Sequence, residues 1–277
     1  MKAAGDDFFP DFRRRNRWRT SWTCCVKGFE PVLRDLRTAV PPAENEHCQL
    51  INVSSGKYVY HCRMEGWDFA YKTQRGKTFW RYLVRSSLPL RECFHYEILR
   101  RLGIPIPRVL AAGDTRKFFV LKESFLITDF LQDSVDGRIF MPGGKFRTGY
   151  DDLRRAFCIG NLSLLAKLHN AGYYHKAAHP RNFLFRGSSP DDMELFWIDV
   201  ARMRKARNFR RTVIVDLHTF FCDMLLPRKE VTELLDIYLS FLDAPPISSR
   251  DELLEELIHF RRRRFSKRVY PLFDTDL

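Results

Sequence analysis

The sequence predicts an α+β fold of two lobes, a small N-terminal lobe of antiparallel sheet with one helix and a mainly helical C-terminal lobe. Three observations carry this. Short β-branched and aromatic runs crowd residues 49–131 around a single helical stretch. From residue 149 onward apolar residues recur at helical period, interrupted by one hairpin pattern. Hydrophobic residues at 45% and aromatic residues at 14% of 277 supply a substantial core, which excludes global disorder.

In chain order, residues 1–48 form a basic N-terminal extension ending in PPAENEH, a Pro and charge cluster that reads as a linker. The N-terminal lobe, 49–130, opens with QLINV, KYVYHCRM and DFAYK, separated by Ser-Ser-Gly and Glu-Gly-Trp turn signals, which is an antiparallel meander. LPLRECFHYEILRRL (88–102) reads as a helix with Phe94, Ile98 and Leu102 along its apolar face, stopped by Gly103 before Pro105. RVLAAGD and FFVLKESFLITDFL add two strands. The C-terminal lobe, 131–277, begins its regular structure with GYDDLRRAFCIGNLSLLAKLHNAG, a long helix closed by Asn-Ala-Gly. NFLFR, GSSPDD and MELFWID make a hairpin, and helices follow over about 213–226, 229–242 and 250–263. No internal repeat is present. Strands with one helix, then helices with one hairpin, place a ligand cleft where the lobes meet.

A net charge of +13 concentrates anions such as nucleotides, acidic glycolipids and anionic membranes. Basic residues gather in FRRRNRWRTSW (12–22) and FRRRRFSKR (260–268). Either these are solvated faces, or the first, with Trp18 and Trp22, meets a bilayer interface. No zinc-finger spacing or RNA-binding aromatic signature accompanies the charge, so nucleic acid is not an expected partner. No apolar run reaches the roughly 18 residues of a membrane span, and no secretory signal order opens the chain. The expected location is the cytosol or the surface of its membranes. Seven cysteines without C-x-x-C spacing predict reduced, mostly buried thiols.

The most informative segment is YHKAAHPRNFLF (174–185), answered by WIDVAR (197–202). His175, then Asn182, then an apolar strand and Asp199 repeat the spacing of a protein-kinase catalytic loop, H-R-D-L-x-x-x-N, with its later metal-binding Asp. In that pattern the first Asp takes the proton of the acceptor hydroxyl. Ala177 stands at its position here. Asn182 and Asp199 offer the oxygen ligands a hard cation needs and are the candidate Mg²⁺ ligands, although such residues elsewhere serve turns and caps. His175 and His179 are the candidates for the catalytic group: His175 as a structural residue holding the metal-binding segment by a backbone hydrogen bond, His179 at the lysine position beside the transferred phosphate. Their spacing of four also suits zinc, but Pro180 follows at once and no third ligand has matching spacing. Asp216 is a candidate acceptor for the loop's amides, or a helix cap.

On the N-terminal side, Lys72 ends the strand DFAYK where a kinase pairs α- and β-phosphates, and Glu92 is its expected ion partner, with Glu97 as rival. SSGKYVY offers Gly56 alone for phosphate cradling, a weak glycine loop. Thr128, and Asp129 to Leu131 after it, resemble the hinge that brackets adenine; a plain core strand is the other reading.

Together these segments resemble the lipopolysaccharide core kinases, a family of protein-kinase-like fold that phosphorylates Kdo or heptose in the inner core of bacterial lipopolysaccharide. AYK (70–72), LRECFHYEILRRLGIPIPRVLAAGD (90–114), SFLITDFL (124–131) and GYYHKAAHPRNFLF with WIDVAR match in order, covering about residues 49–240. The run from the helix into GIPIPRVLAAGD distinguishes this family from protein kinases generally. The family usually reads H-x-D-L where this chain has His175, Lys176, Ala177 and Ala178. The resemblance implies ATP and Mg²⁺ as cofactors, a core-sugar hydroxyl or anionic glycolipid as acceptor, and sites at Lys72, Glu92, Thr128, Asp129, Asn182 and Asp199. Two further readings stand beside it: a pseudokinase that binds nucleotide or glycolipid without turnover, and a kinase for another small molecule.

Overall fold

The structure is a computed structural model that describes residues 22–38, 47–54, 56–75, 86–117, 120–146, 148–245, 247, 249–264 and 272–273. The chain divides into two compact units. One runs through Ile98 and adds Pro107–Gln132; the other comprises Leu99–Ile106 and everything from Asp133.

The first unit is built on a six-stranded antiparallel sheet. Its strands are β1 (Trp22–Cys25), β2 (Cys48–Ser54), β3 (Lys57–Met64), β4 (Trp67–Arg75), β5 (Val109–Lys117) and β6 (Val120–Asp129). Their spatial order is β1-β5-β6-β4-β3-β2. Consecutive strands β2, β3 and β4 form the expected meander, with Gly56 at φ +77° in the β2–β3 turn, a conformation that suits a residue without Cβ.

Two features of this unit differ from the sequence expectation. Residues 22–38 fall in what reads as an extension, yet they contribute β1, paired to β5 through Cys24 and Ala112, and helix α1 (Glu30–Thr38). Phe29, Val32, Leu33 and Leu36 are buried against Tyr60, Phe69, Tyr71 and Ile127, at about 1.5–3 kcal/mol for each large apolar side chain. A run that short, with charges between its apolar residues, shows its role only when the sheet is there to receive it. The second difference is covalent: Cys48 and Cys62 form a disulfide where reduced thiols are expected. The antiparallel register sets the two residues directly opposite one another, which sequence spacing does not reveal. Cys24, Cys25, Cys93, Cys158 and Cys222 are not in disulfides.

Helix α2 (Leu88–Arg101) ends at Gly103, whose φ of +63° lets Gly103 and Ile104 return their amides to Arg100 and Leu99. Its buried face differs from the expected one. Phe94, Ile98 and Leu102 are half-buried, whereas Leu90, Glu92, Cys93, Tyr96, Glu97 and Leu99 are buried. Two carboxylates, Glu92 and Glu97, therefore lie on the packed side.

The second unit is organised around α3 (Asp151–Asn170), α4 (Phe209–Met224), α5 (Arg228–Ser240) and α6 (Arg250–Arg264). Strands β7 (Val135–Asp136), β9 (Phe183–Arg186) and β10 (Glu194–Trp197) form a small sheet in the order β10-β9-β7, and β8 (Tyr173–Tyr174) pairs with β11 (Arg204–Lys205). The helices begin and end within a few residues of the sequence reading. Trp197 is fully buried and donates its indole N–H to Asn161 of α3 at 3.0 Å, while Phe183, Trp197 and Phe220 pack ring on ring. This cluster fixes the hairpin whose ends carry the candidate site. Among the described residues no helix is long and apolar enough to cross a membrane. The basic run 12–22 lies almost wholly outside the described residues, as do the last residues of 260–268.

Candidate functional site

In the first unit, β4 delivers Lys72 to α2. The Lys72 ammonium bonds both carboxylate oxygens of Glu92, at 2.9 and 2.8 Å, and Glu92 also accepts the Tyr96 hydroxyl at 3.1 Å. Glu92 is 2% exposed, so its charge is neutralised locally by the lysine. The pairing selects Glu92 over Glu97, which an α-helix turns about 140° further round its axis. Lys72 keeps about a quarter of its side chain exposed, enough to reach a second anion.

Thr128 is buried in β6 between Ala70 of β4 and Val109 of β5. Asp129 ends the same strand, and its carboxylate receives two bonds from the Arg108 guanidinium at 2.9 and 3.1 Å. Phe130 donates its amide to the Asp68 carbonyl and stacks on His61 with centroids 3.7 Å apart.

The second unit holds the loop residues. Asp216, buried in α4, accepts the amides of His175 at 2.6 Å and Lys176 at 2.7 Å. Asp216 itself is held by His169 of α3, whose Nε2 lies 3.2 Å away and whose Nδ1 meets the Tyr238 hydroxyl of α5 at 2.7 Å. A chain of three buried groups from three helices thus pins the loop backbone. Lys176 is at φ 64° and Asp199 at φ 52°, ψ 44°, the left-handed region that costs a non-glycine residue about 1–2 kcal/mol. Backbone strain of this kind concentrates where a side chain must be aimed.

Asn182 donates its amide N–H to the Ala177 carbonyl at 2.8 Å, which turns its Oδ1 away as the free acceptor. The Asn182 carbonyl accepts from Ile198 at 2.9 Å, so the hairpin brings Asn182 within one residue of Asp199 across the chain. An amide oxygen and a carboxylate at adjoining positions suit Mg²⁺, which completes its shell with phosphate oxygens and water. No group of three or more His, Cys, Asp or Glu among the described residues forms a metal site.

His175 makes its hydrogen bond to Asp216 through the main chain rather than through its ring. Its ring is fully buried against Phe183 and Trp197, at centroid distances of 5.5 and 5.3 Å, and neither ring nitrogen has a hydrogen-bond partner. Burial pushes the imidazole below its ordinary pKa, against the pull of the Asp216 and Asp199 carboxylates. The loop is held by the His175 backbone, not by its side chain. Ala177 is 5% exposed and supplies a carbonyl but no carboxylate.

His179 is half-buried and its Nδ1 lies 2.8 Å from the Asp223 carboxylate of α4. This pair is absent from the sequence reading, as is the His169–Tyr238 support. Asp223 and Asp216 lie seven apart on α4, on one helix face, and that spacing is the signal through which the second acid could have been found.

The chain is similar to known proteins. A model of the lipopolysaccharide kinase (Kdo/WaaP) family matches residues 70–238, more than half the chain. The lipopolysaccharide core heptose(I) kinase WaaP of Pseudomonas aeruginosa is 24% identical over 197 residues, covering 66% of this chain and 74% of that protein. The solved structure of WaaP in complex with acyl carrier protein superposes with a TM-score of 0.65 at 20% identity, over 91% of this chain and all of that one. The PknI kinase domain of Mycobacterium tuberculosis gives a TM-score of 0.45 at 15% identity, over 76% of this chain and 93% of that one.

Proposed function

This chain belongs to the lipopolysaccharide kinase (Kdo/WaaP) family, and on that premise we propose that it transfers the γ-phosphate of ATP, with Mg²⁺, to a hydroxyl of a lipopolysaccharide core sugar. The observation that carries the reading is the Lys72–Glu92 pair, a strand lysine fixed by a helix glutamate so that its ammonium can meet the α- and β-phosphates. Thr128 and the segment from Asp129 are assigned to the adenine end.

Asn182, through the oxygen left by its bond to Ala177, and Asp199 would hold the ion. Bound with the nucleotide, Mg²⁺ neutralises the charge that develops on the phosphates. In its imidazolium form His179, with Nδ1–H bonded to Asp223, would donate Nε2–H to the phosphoryl group in transit. His175 acts through its backbone, which holds the loop on Asp216. Phosphoryl transfer depends chiefly on positioning and electrostatics, so these groups support turnover without a carboxylate at Ala177, at a rate about 10² to 10⁴ below that of a chain with a general base. The acceptor side is assigned to the inner membrane's cytoplasmic face, in keeping with the net charge of +13.

Ala177 favours one second reading, a pseudokinase that retains the nucleotide site without chemistry. The deciding experiment measures ADP release with core oligosaccharide, and melting temperature with Mg-ATP, for this chain, Asp199→Ala and Ala177→Asp. Turnover that vanishes in Asp199→Ala and rises in Ala177→Asp supports the kinase reading. A Mg-ATP shift with no ADP selects the pseudokinase, and no shift at saturating Mg-ATP sinks both.

A further inference from the structure

A cavity of about 810 Å³ lies within the second unit, between the start of α4, helix α6 and the loop that carries His175. Its lining combines apolar side chains, from Ile214, Val215 and Phe260, with the cations Lys176, Arg202 and Arg211. Its acid, Glu256, is already engaged: Arg210 bonds Glu256 at 3.1 Å and Glu252 at 2.8 Å, which neutralises that arginine from α6. Neither Arg202 nor Arg211 is paired with a carboxylate among the described residues. Positive charge gathered around one cavity with its acid engaged elsewhere favours occupation by an anion.

The position of the cavity gives the anion a role. Lys176 follows His175, is held at φ 64°, and has its amide on Asp216. Arg202 ends the turn that begins at Asp199. The two cations therefore belong to the same two segments that carry the proposed phosphoryl-transfer residues. Apolar side chains with an aromatic ring, the Tyr174 phenol, and guanidinium and ammonium groups lining one cavity match a sugar whose C–H face packs on carbon while its phosphate meets the arginines.

We propose that this cavity binds a phosphate-bearing sugar of the acceptor, seating the anionic neighbour of the hydroxyl that receives the new phosphate. The identification of that sugar as acceptor rests on the kinase reading above; its binding does not.

The test is calorimetric titration of the full chain, without nucleotide, with deacylated core oligosaccharide before and after chemical dephosphorylation. Inorganic phosphate and mannose 6-phosphate serve as simple probes. Arg202→Gln and Arg211→Gln replace exposed side chains, and the Asn208 cap bonds only the Arg211 backbone, so the fold is kept. Their combination is expected to weaken the phosphorylated oligosaccharide by roughly 100-fold, about tenfold for each lost charged contact, and to leave the Mg-ATP melting shift in place. Undiminished binding in the double variant overturns the proposal, and so does equal binding of phosphorylated and dephosphorylated oligosaccharide. Inorganic phosphate that competes as strongly as the oligosaccharide removes the sugar from it. Failure of the kinase reading shows separately, as no ADP release from the unaltered chain with core oligosaccharide, while the titration still reports on the cavity.

Discussion

The ammonium of Lys72 sits between the two carboxylate oxygens of Glu92, at 2.9 and 2.8 Å, with the Tyr96 hydroxyl closing the same carboxylate from behind. The pair is local to one unit and ties β4 to α2. Its loss should be felt first in nucleotide binding. Lys72→Met is expected to abolish the Mg-ATP melting shift and to reduce turnover roughly 10²- to 10³-fold. Glu92→Gln should weaken both effects while the chain stays folded, because Tyr96 can still bond the amide. A full Mg-ATP shift in Lys72→Met would remove the lysine from the site.

The His179–Asp223 pair makes a second expectation, since the carboxylate fixes which edge of the imidazole faces outward. Asp223→Ala frees the ring and should lower kcat between about 10- and 100-fold with little change in the KM for ATP. Asp223→Asn, which can still accept from Nδ1, should recover most of it. Steady-state kinetics of the two variants decide the matter, and equal loss in both would point to a structural role alone.

Cys48 and Cys62 are joined across β2 and β3 with a sequence separation of 14. Thiol titration in denaturant should find five reactive cysteines before reduction, those at 24, 25, 93, 158 and 222, and all seven afterwards. Breaking the bridge by Cys48→Ala with Cys62→Ala should destabilise the chain by about 3 kcal/mol, the loop-closure value for a ring of this size. Seven thiols without reductant would show the bridge open.

His175 makes stability depend on pH. Burial, its largest influence, holds the folded pKa below the ordinary 6.5, so the unfolded chain takes up the proton first. Stability is complete above about pH 6.5 and declines as the pH falls, by at most about 1.4 kcal/mol per pH unit from this residue. Urea midpoints from pH 8 to 5 for the unaltered chain and for His175→Phe should diverge on the acid side. Parallel curves would mean that the buried ring does not govern the slope.

How much was legible beforehand differs from residue to residue. Asn182 and Asp199 were found from spacing because the hairpin that joins them is short and its register follows from β9 and β10. The spacing before GIPIP favours Glu92 over Glu97, but helix faces alone do not settle the choice, since it depends on how β4 meets the helix. The spacing of Phe94, Ile98 and Leu102 does not mark the buried face of α2, because that face also carries two carboxylates, Glu92 and Glu97. Residues 22–38 looked like part of a tail because β1 pairs with a strand almost ninety positions later.

Local spacing by itself determined the order and type of most elements, the loop from His175 to Asn182 and the vacancy of a carboxylate at Ala177, because each is a property of residues close along the chain. Only the tertiary structure decided the Lys72–Glu92 pairing, the Cys48–Cys62 bridge, the support of His179 by Asp223 and the cationic cavity beside Lys176. Those depend on segments separated by between 14 and about 80 positions. Such contacts form only when burial of the apolar core brings distant elements together, and no pattern along the chain records which side chains then meet.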